Sequence, residues 1–129
     1  LPKPAPIYVI IGPATFSAGI NSVAFLRAAG GKRVILIGEE LGDRERMYGE
    51  TNDFVLPNSK LGMTFNTGLH DVEHGCPPWP QCYYRNYLSD IAVGKLTPDM
   101  PVTTSYTDYK NGIDPALITI TNRHKEKPQ

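Results

Sequence analysis

IYVIIGPATFSAGINSVAFLRAAGGKRVILIG, residues 7–38, is the stretch that decides how this chain folds. Ile7 to Ile11 is a continuous apolar run bounded by Pro6 and Gly12, the pattern of a strand covered on both faces. From Ser17 to Ala29 the apolar residues recur at helical spacing, with Asn21, Ser22 and Arg27 as the polar interruptions, which predicts a mostly buried helix. Gly30 and Gly31 stop it, because glycine tolerates the left-handed backbone at a helix end. Val34 to Ile37 reads as a second buried strand, ended by Gly38. Strand, helix and strand within 32 residues make a βαβ unit with parallel strands.

Outward from this unit the pattern changes. LGDRERMYGE, residues 41–50, is polar and glycine-containing and reads as a loop. Phe54 and Leu56 before PNSK, and Leu61, Met63 and Phe65 after it, alternate at period two and predict a β-hairpin. Residues 68–94 show no period and read as an ordered loop excursion rich in His, Pro, Cys and aromatics. Trp79, Tyr83, Tyr84 and Tyr87 are expected to pack that loop onto its own domain. Ile91 to Val93 is a short apolar piece, TPDMPV reads as extended, and DYKNGIDPALITI as a short closing helix. Residues 1–6, with alternating prolines, are expected to be a linker and residues 122–129 a polar, frayed tail. The whole is one α/β domain of 129 residues.

Thirteen basic residues balance thirteen acidic ones, which gives no electrostatic reason to expect nucleic acid or an anionic membrane as partner. No apolar window reaches the length of a membrane span. Cys76 and Cys82 allow a disulfide, two reduced thiols, or a zinc site completed by His70 and His74. The five-residue gap with three prolines fits a stapled turn better than a zinc knuckle, so no metal is expected. A disulfide would point to the periplasm or to secretion.

Ser17 follows the first strand and opens the helix, at the edge of a parallel sheet where ligands sit. Two roles are open to it. It, or Thr15, is an N-cap contributing about 1 kcal/mol. Alternatively it is a nucleophile, with the Ala18 N–H and the helix dipole facing the negative charge that develops on a carbonyl oxygen.

Residues 6–43 resemble the catalytic segment of the C-terminal-processing (tail-specific) serine peptidases, a family that includes the tricorn core protease and has a ClpP/crotonase-like α/β core. The matching features are Thr15-Phe16-Ser17-Ala18, Ile37-Gly38-Glu39 and Gly42, with further likeness at FVLPNSKLGMTF, TPDMPV and DYKNGIDPAL. The resemblance implies the C-terminal part of a catalytic domain acting on polypeptide substrates without a cofactor. It implies Ser17 as nucleophile and Ala18, followed by Gly19, at the oxyanion side. It also implies an upstream half of the same domain, or a swapped partner chain, that supplies the second oxyanion donor.

One departure from the family stands out. The loop after the second strand carries Asp43, Arg44, Glu45 and Arg46 where classical members have a lysine base, and arginine stays protonated. Lys32 and Lys60 lie off the motif position and are expected in solvent. In the tricorn-like branch, histidine and glutamate serve instead. Here GLHDVEHG offers His70 as base and Glu73 as its carboxylate, with Asp71 and His74 beside them. Two other functions remain: a catalytically inactive peptide-binding module on the same fold, and a crotonase-like acyl-CoA enzyme, by fold analogy alone.

Overall fold

The computed structural model describes residues 5–76, 82–83 and 88–125. The chain runs β1 (Ile7–Ile11), α1 (Ala18–Gly30), a 3-10 turn (Gly31–Arg33), β2 (Val34–Gly38), β3 (Arg46–Val55), β4 (Gly62–Asp71), β5 (Met100–Pro101), α2 (Tyr106–Lys110) and α3 (Pro115–Lys125). It is a mixed α/β structure: a parallel three-stranded sheet in the order β1-β2-β5, and a separate antiparallel pair β3-β4. Ile7 pairs with Val34 and Ile11 with Gly38, so the βαβ unit expected from residues 7–38 is present.

The core is built by one stripe of α1 (Ile20, Val23, Ala24) against Ile11, Val34 and Leu36 of the sheet, with Met47, Val72 and Leu96 closing it. β2 is the central strand and is covered on both sides, as its unbroken apolar run requires. β1 is not. Val9 and Ile11 face the core, but Ile10, which the two-residue period turns to the other face, is 48% exposed. The expectation of a strand buried on both faces therefore fails at β1, which among the described residues is a sheet edge paired with β2 alone.

The helix shows a similar departure. Phe25 and Leu26 are 41% and 44% exposed, so α1 is buried along one stripe and not over most of its surface. Asp99 ties helix to sheet. Its Oδ2 accepts the Leu36 N–H at 2.7 Å and the Arg27 guanidinium at 2.6 Å, while Arg27 also donates to the Val34 carbonyl.

Both strands of the hairpin run longer than the period suggests. Arg46–Glu50, expected in a loop, begin β3, and Leu69–Asp71, expected in the excursion, end β4. Gly49, one of the glycines behind the loop reading of residues 41–50, faces Gly68 across the ladder. A side chain at Gly49 would strike the His70 ring, and one at Gly68 would strike the Glu50 side chain, so the glycines make room. After β4 the chain returns, with Val93 N–H donating to the Val72 carbonyl.

The closing segment is two helices, not one. Ser105 and Asp108 form a reciprocal capping box on α2, and Asp114 accepts the Leu117 N–H at the start of α3. α3 continues to Lys125, so Asn122–Lys125 are helical where a frayed tail was expected. Residues 1–4 of the expected linker and 126–129 of the tail lie outside the described residues. No helix among the described residues is long and apolar enough to cross a membrane.

Candidate active site

The turn that carries Ser17 is held from two sides. Thr15 N–H donates to the Gly12 carbonyl at 2.8 Å, closing a turn with Pro13 at its second position, where proline's fixed φ fits. Gly12 N–H donates back to Thr15 Oγ1 at 3.2 Å. The loop after β2 then packs onto this turn. Glu39 N–H bonds to the Ile11 carbonyl, and Gly42 N–H to the Thr15 carbonyl, each at 3.0 Å. Gly42 approaches so closely that a Cβ there would lie 2.0 Å from the Pro13 carbonyl oxygen.

At the end of this braced turn Ser17 has φ 48° and ψ −118°, a left-handed backbone that a serine avoids. Its side chain makes no capping hydrogen bond to α1. An N-cap serine has extended backbone and an oxygen turned back to the helix N–H groups; Ser17 has neither. Its residue is exposed, and it lines a cleft of about 290 Å³ together with Ala18, Asn21, Ser22, Phe25, Gly49, Glu50, His70 and Tyr83. No acidic residue occupies the first turn of α1, so no side chain of that turn offsets the positive end of its dipole. The Gly19 N–H is taken by the Phe16 carbonyl, whereas among the described residues none accepts the Ala18 N–H.

His70, near the end of β4, is 5% exposed and sits across the cleft from α1. Asn21 Nδ2, one helical turn beyond Ser17, lies 3.2 Å from His70 Nδ1. An amide nitrogen only donates, so Nδ1 is the acceptor and the ring proton resides on Nε2. Nε2 faces Glu50 Oε1 at 3.6 Å. Glu50 reaches that place from a left-handed backbone, φ 59°, within β3. The Tyr83 ring stacks on the imidazole, with centroids 4.6 Å apart. Burial lowers the His70 pKa below the ordinary imidazole value, and the Glu50 carboxylate opposes that shift by charge and hydrogen bonding. Among the described residues no hydrogen bond links the Ser17 hydroxyl to His70, whose Nδ1 lies against the Asn21 amide.

No family model matches this chain, and neither does any curated protein or solved structure.

Of the residues singled out from sequence, Ser17, Ala18 and His70 meet on this cleft. Glu73 does not line it. Its carboxylate lies 3.7 Å from His74 Nε2, and His74 Nδ1 lies 3.3 Å from Asp71. Asp71, 6% exposed, also faces Arg46 at 3.6 Å and accepts the His74 backbone N–H. This second cluster closes the turn after β4. The carboxylate that faces His70 is Glu50, in the stretch read as loop. Lys32 and Lys60 are exposed, the former in the 3-10 turn and the latter in the hairpin turn, and neither lines the cleft. Arg44 is exposed beside Asp43.

Cys76 and Cys82 are joined in a disulfide with Cα atoms 6.1 Å apart. No group of three metal-ligating side chains occurs among the described residues. Trp79, Tyr84 and Tyr87 lie outside the described residues.

Asn21, Glu50 and Tyr83 were missed as site residues. Asn21 carries a signal that the sequence offers: four residues after Ser17 on a helix, it shares that residue's face. Glu50 carries none, since a strand pairing brings it in; Tyr83 belongs to the aromatic cluster expected to pack the loop, and the disulfide beside it returns it to the cleft.

Proposed function

We propose that this chain is the C-terminal part of a serine peptidase-like catalytic domain, akin to the tail-specific peptidases, that hydrolyses peptide bonds through an acyl-enzyme on Ser17. The observation that carries the reading is the Ser17 backbone: strained, uncapped and exposed at the head of α1, on a cleft shared with a buried imidazole. Strain of this kind costs about 1–3 kcal/mol and persists where the surroundings enforce it, commonly at functional sites. A strand-to-helix turn of this shape presents a nucleophile at the top of a sheet.

In the proposed reaction Ser17 Oγ attacks the peptide carbonyl carbon, and its proton passes to His70 Nδ1 as the Asn21 amide gives up that nitrogen. Glu50 beside Nε2 keeps the ring in the Nε2–H form and stabilises the imidazolium that results. The Ala18 N–H and the α1 dipole face the oxyanion; one such donor is worth about 3 kcal/mol. Collapse breaks the C–N bond, the proton returns to the leaving amine, and water then hydrolyses the ester with the same base.

The second oxyanion donor and the covering of the exposed faces come from an upstream segment or a partner chain. The half-exposed Ile10, Phe25 and Leu26 support that assignment. The disulfide supports an oxidising location, the periplasm or outside the cell.

A peptide-binding module without catalysis is the second reading. The observation favouring it is the edge of β1 that no other described strand pairs with, where a strand can be added. Fluorophosphonate labelling of the full-length protein separates the two. The peptidase reading expects an adduct that Ser17→Ala abolishes and His70→Gln reduces by about 100-fold; the binding reading expects none.

A further inference from the structure

We infer that the Cys76–Cys82 disulfide is a redox-sensitive clamp that holds the Tyr83 ring against the His70 imidazole, so that reducing the bridge loosens the base of the Ser17 cleft. The inference rests on the reading of His70 as that base, and it assigns to Tyr83 a positioning role.

The geometry is local and direct. β4 delivers Leu69 and His70, and the chain then turns through Val72–His74 and Gly75, whose φ is +83°. Cys76, 5% exposed, follows at once. The bridge to Cys82 brings the returning chain back beside the strand it has just left, with Cys82 paired in parallel to Leu69. Tyr83 N–H donates to the Leu69 carbonyl at 2.8 Å. Tyr83 is the residue next to Cys82, and its ring stacks on the residue next to Leu69, His70, at an interplanar angle of 30°. The imidazole is thus held on three sides: Asn21 at Nδ1, Glu50 at Nε2, and the Tyr83 ring on its face. Met47, buried on β3, is its cross-strand neighbour.

Two of these restraints belong to the regular α1 and β3. The third depends on a segment returned by the disulfide. Reduction by a dithiol breaks the S–S bond and forms two thiols, with two electrons and two protons supplied as the dithiol becomes its own disulfide. The staple is then gone, and the Tyr83 N–H bond to the Leu69 carbonyl and the ring contact with His70 lose the covalent closure beside them. A solvent-exposed imidazole face is less buried, and burial is what depresses this ring's pKa.

The test is NMR of the His70 ring in the full chain, labelled at histidine, before and after tris(carboxyethyl)phosphine, with the two-hydrogen mass change confirming reduction. The oxidised chain should show His70 shifted by the stacked ring and titrating below the ordinary imidazole value of about 6.5. The reduced chain, Cys76→Ser with Cys82→Ser, and Tyr83→Ala should all lose the ring shift and move the midpoint up. Tyr83→Phe, which keeps the ring, should match the parent. An unchanged His70 signal after verified reduction overturns the clamp, as does an unchanged signal in Tyr83→Ala. Global unfolding on reduction overturns it too, since the clamp is local. Fluorophosphonate labelling of the full-length protein should slow on reduction. If labelling is absent throughout while the NMR shift occurs, the peptidase reading falls and the clamp stands.

Discussion

Replacing Ser17 by glycine should make the protein more stable while removing its nucleophile. Ser17 has φ 48°, ψ −118°, which costs a non-glycine residue about 1–3 kcal/mol. Glycine adopts that backbone freely. Against this, glycine enlarges the unfolded ensemble, at about 0.4–1 kcal/mol relative to alanine. No capping hydrogen bond is lost, since the Ser17 side chain makes none to α1. The net expectation is a gain of about 0.5–2 kcal/mol for Ser17→Gly and a change within about 0.5 kcal/mol for Ser17→Ala, which keeps the strain. An ordinary N-cap behaves differently: alanine costs about 1 kcal/mol and glycine a few tenths. Urea unfolding of the three proteins measures this. With a slope near 2 kcal/mol/M, each kcal/mol moves the midpoint by about 0.5 M. A Ser17→Gly midpoint at or below that of the parent, with Ser17→Ala lower still, would refute the strained-turn argument and restore the cap.

Other consequences follow from the same geometry. Because burial lowers the His70 pKa, the unfolded chain takes up a proton at higher pH than the folded one. Stability contributed by the neutral ring is complete above about pH 6.5 and is lost as pH falls toward the folded pKa; urea titrations across pH 4–8 check this, and the acid limb of fluorophosphonate labelling should lie below about pH 6.5. Glu50 raises the His70 pKa against burial, so Glu50→Gln should move that limb to still lower pH and slow labelling about tenfold, while chemical denaturation changes little. Gly42→Ala places a methyl 2.0 Å from the Pro13 carbonyl oxygen and should destabilise the protein by about 2–4 kcal/mol, read by the urea midpoint. Asp99→Ala leaves the Leu36 N–H without its acceptor and the Arg27 guanidinium without its carboxylate, and should cost about 1–3 kcal/mol by the same measurement.

The sequence was legible where local pattern and tertiary environment agree. Val34–Gly38 is apolar throughout because β2 is central, and Gly31 ends α1 in a left-handed backbone, φ 54°. It misled where a local signal has a non-local cause. Gly49 and Gly68 read as loop, yet they sit opposite one another to admit His70 and Glu50. The apolar pattern promised burial on both faces for β1 and over most of α1, yet Ile10 and Phe25 remain substantially exposed, which no periodicity within this chain distinguishes from a covered face. In the site, Ser17 and His70 were visible as candidate chemistry. The partner of His70 was not, because Glu50 faces it through strand register and a strained φ, whereas Glu73, nearer in sequence, is drawn to His74.

The central claim is that the Ser17 hydroxyl is a nucleophile served by His70. Its most direct test is peptide mapping of the full-length protein after reaction with a fluorophosphonate at neutral pH. The account predicts one covalent adduct, located on Ser17 and missing from Ser17→Gly even though that variant is the more stable protein. Recovery of an unmodified Ser17 peptide from the folded, oxidised protein, or an adduct on another residue, contradicts it.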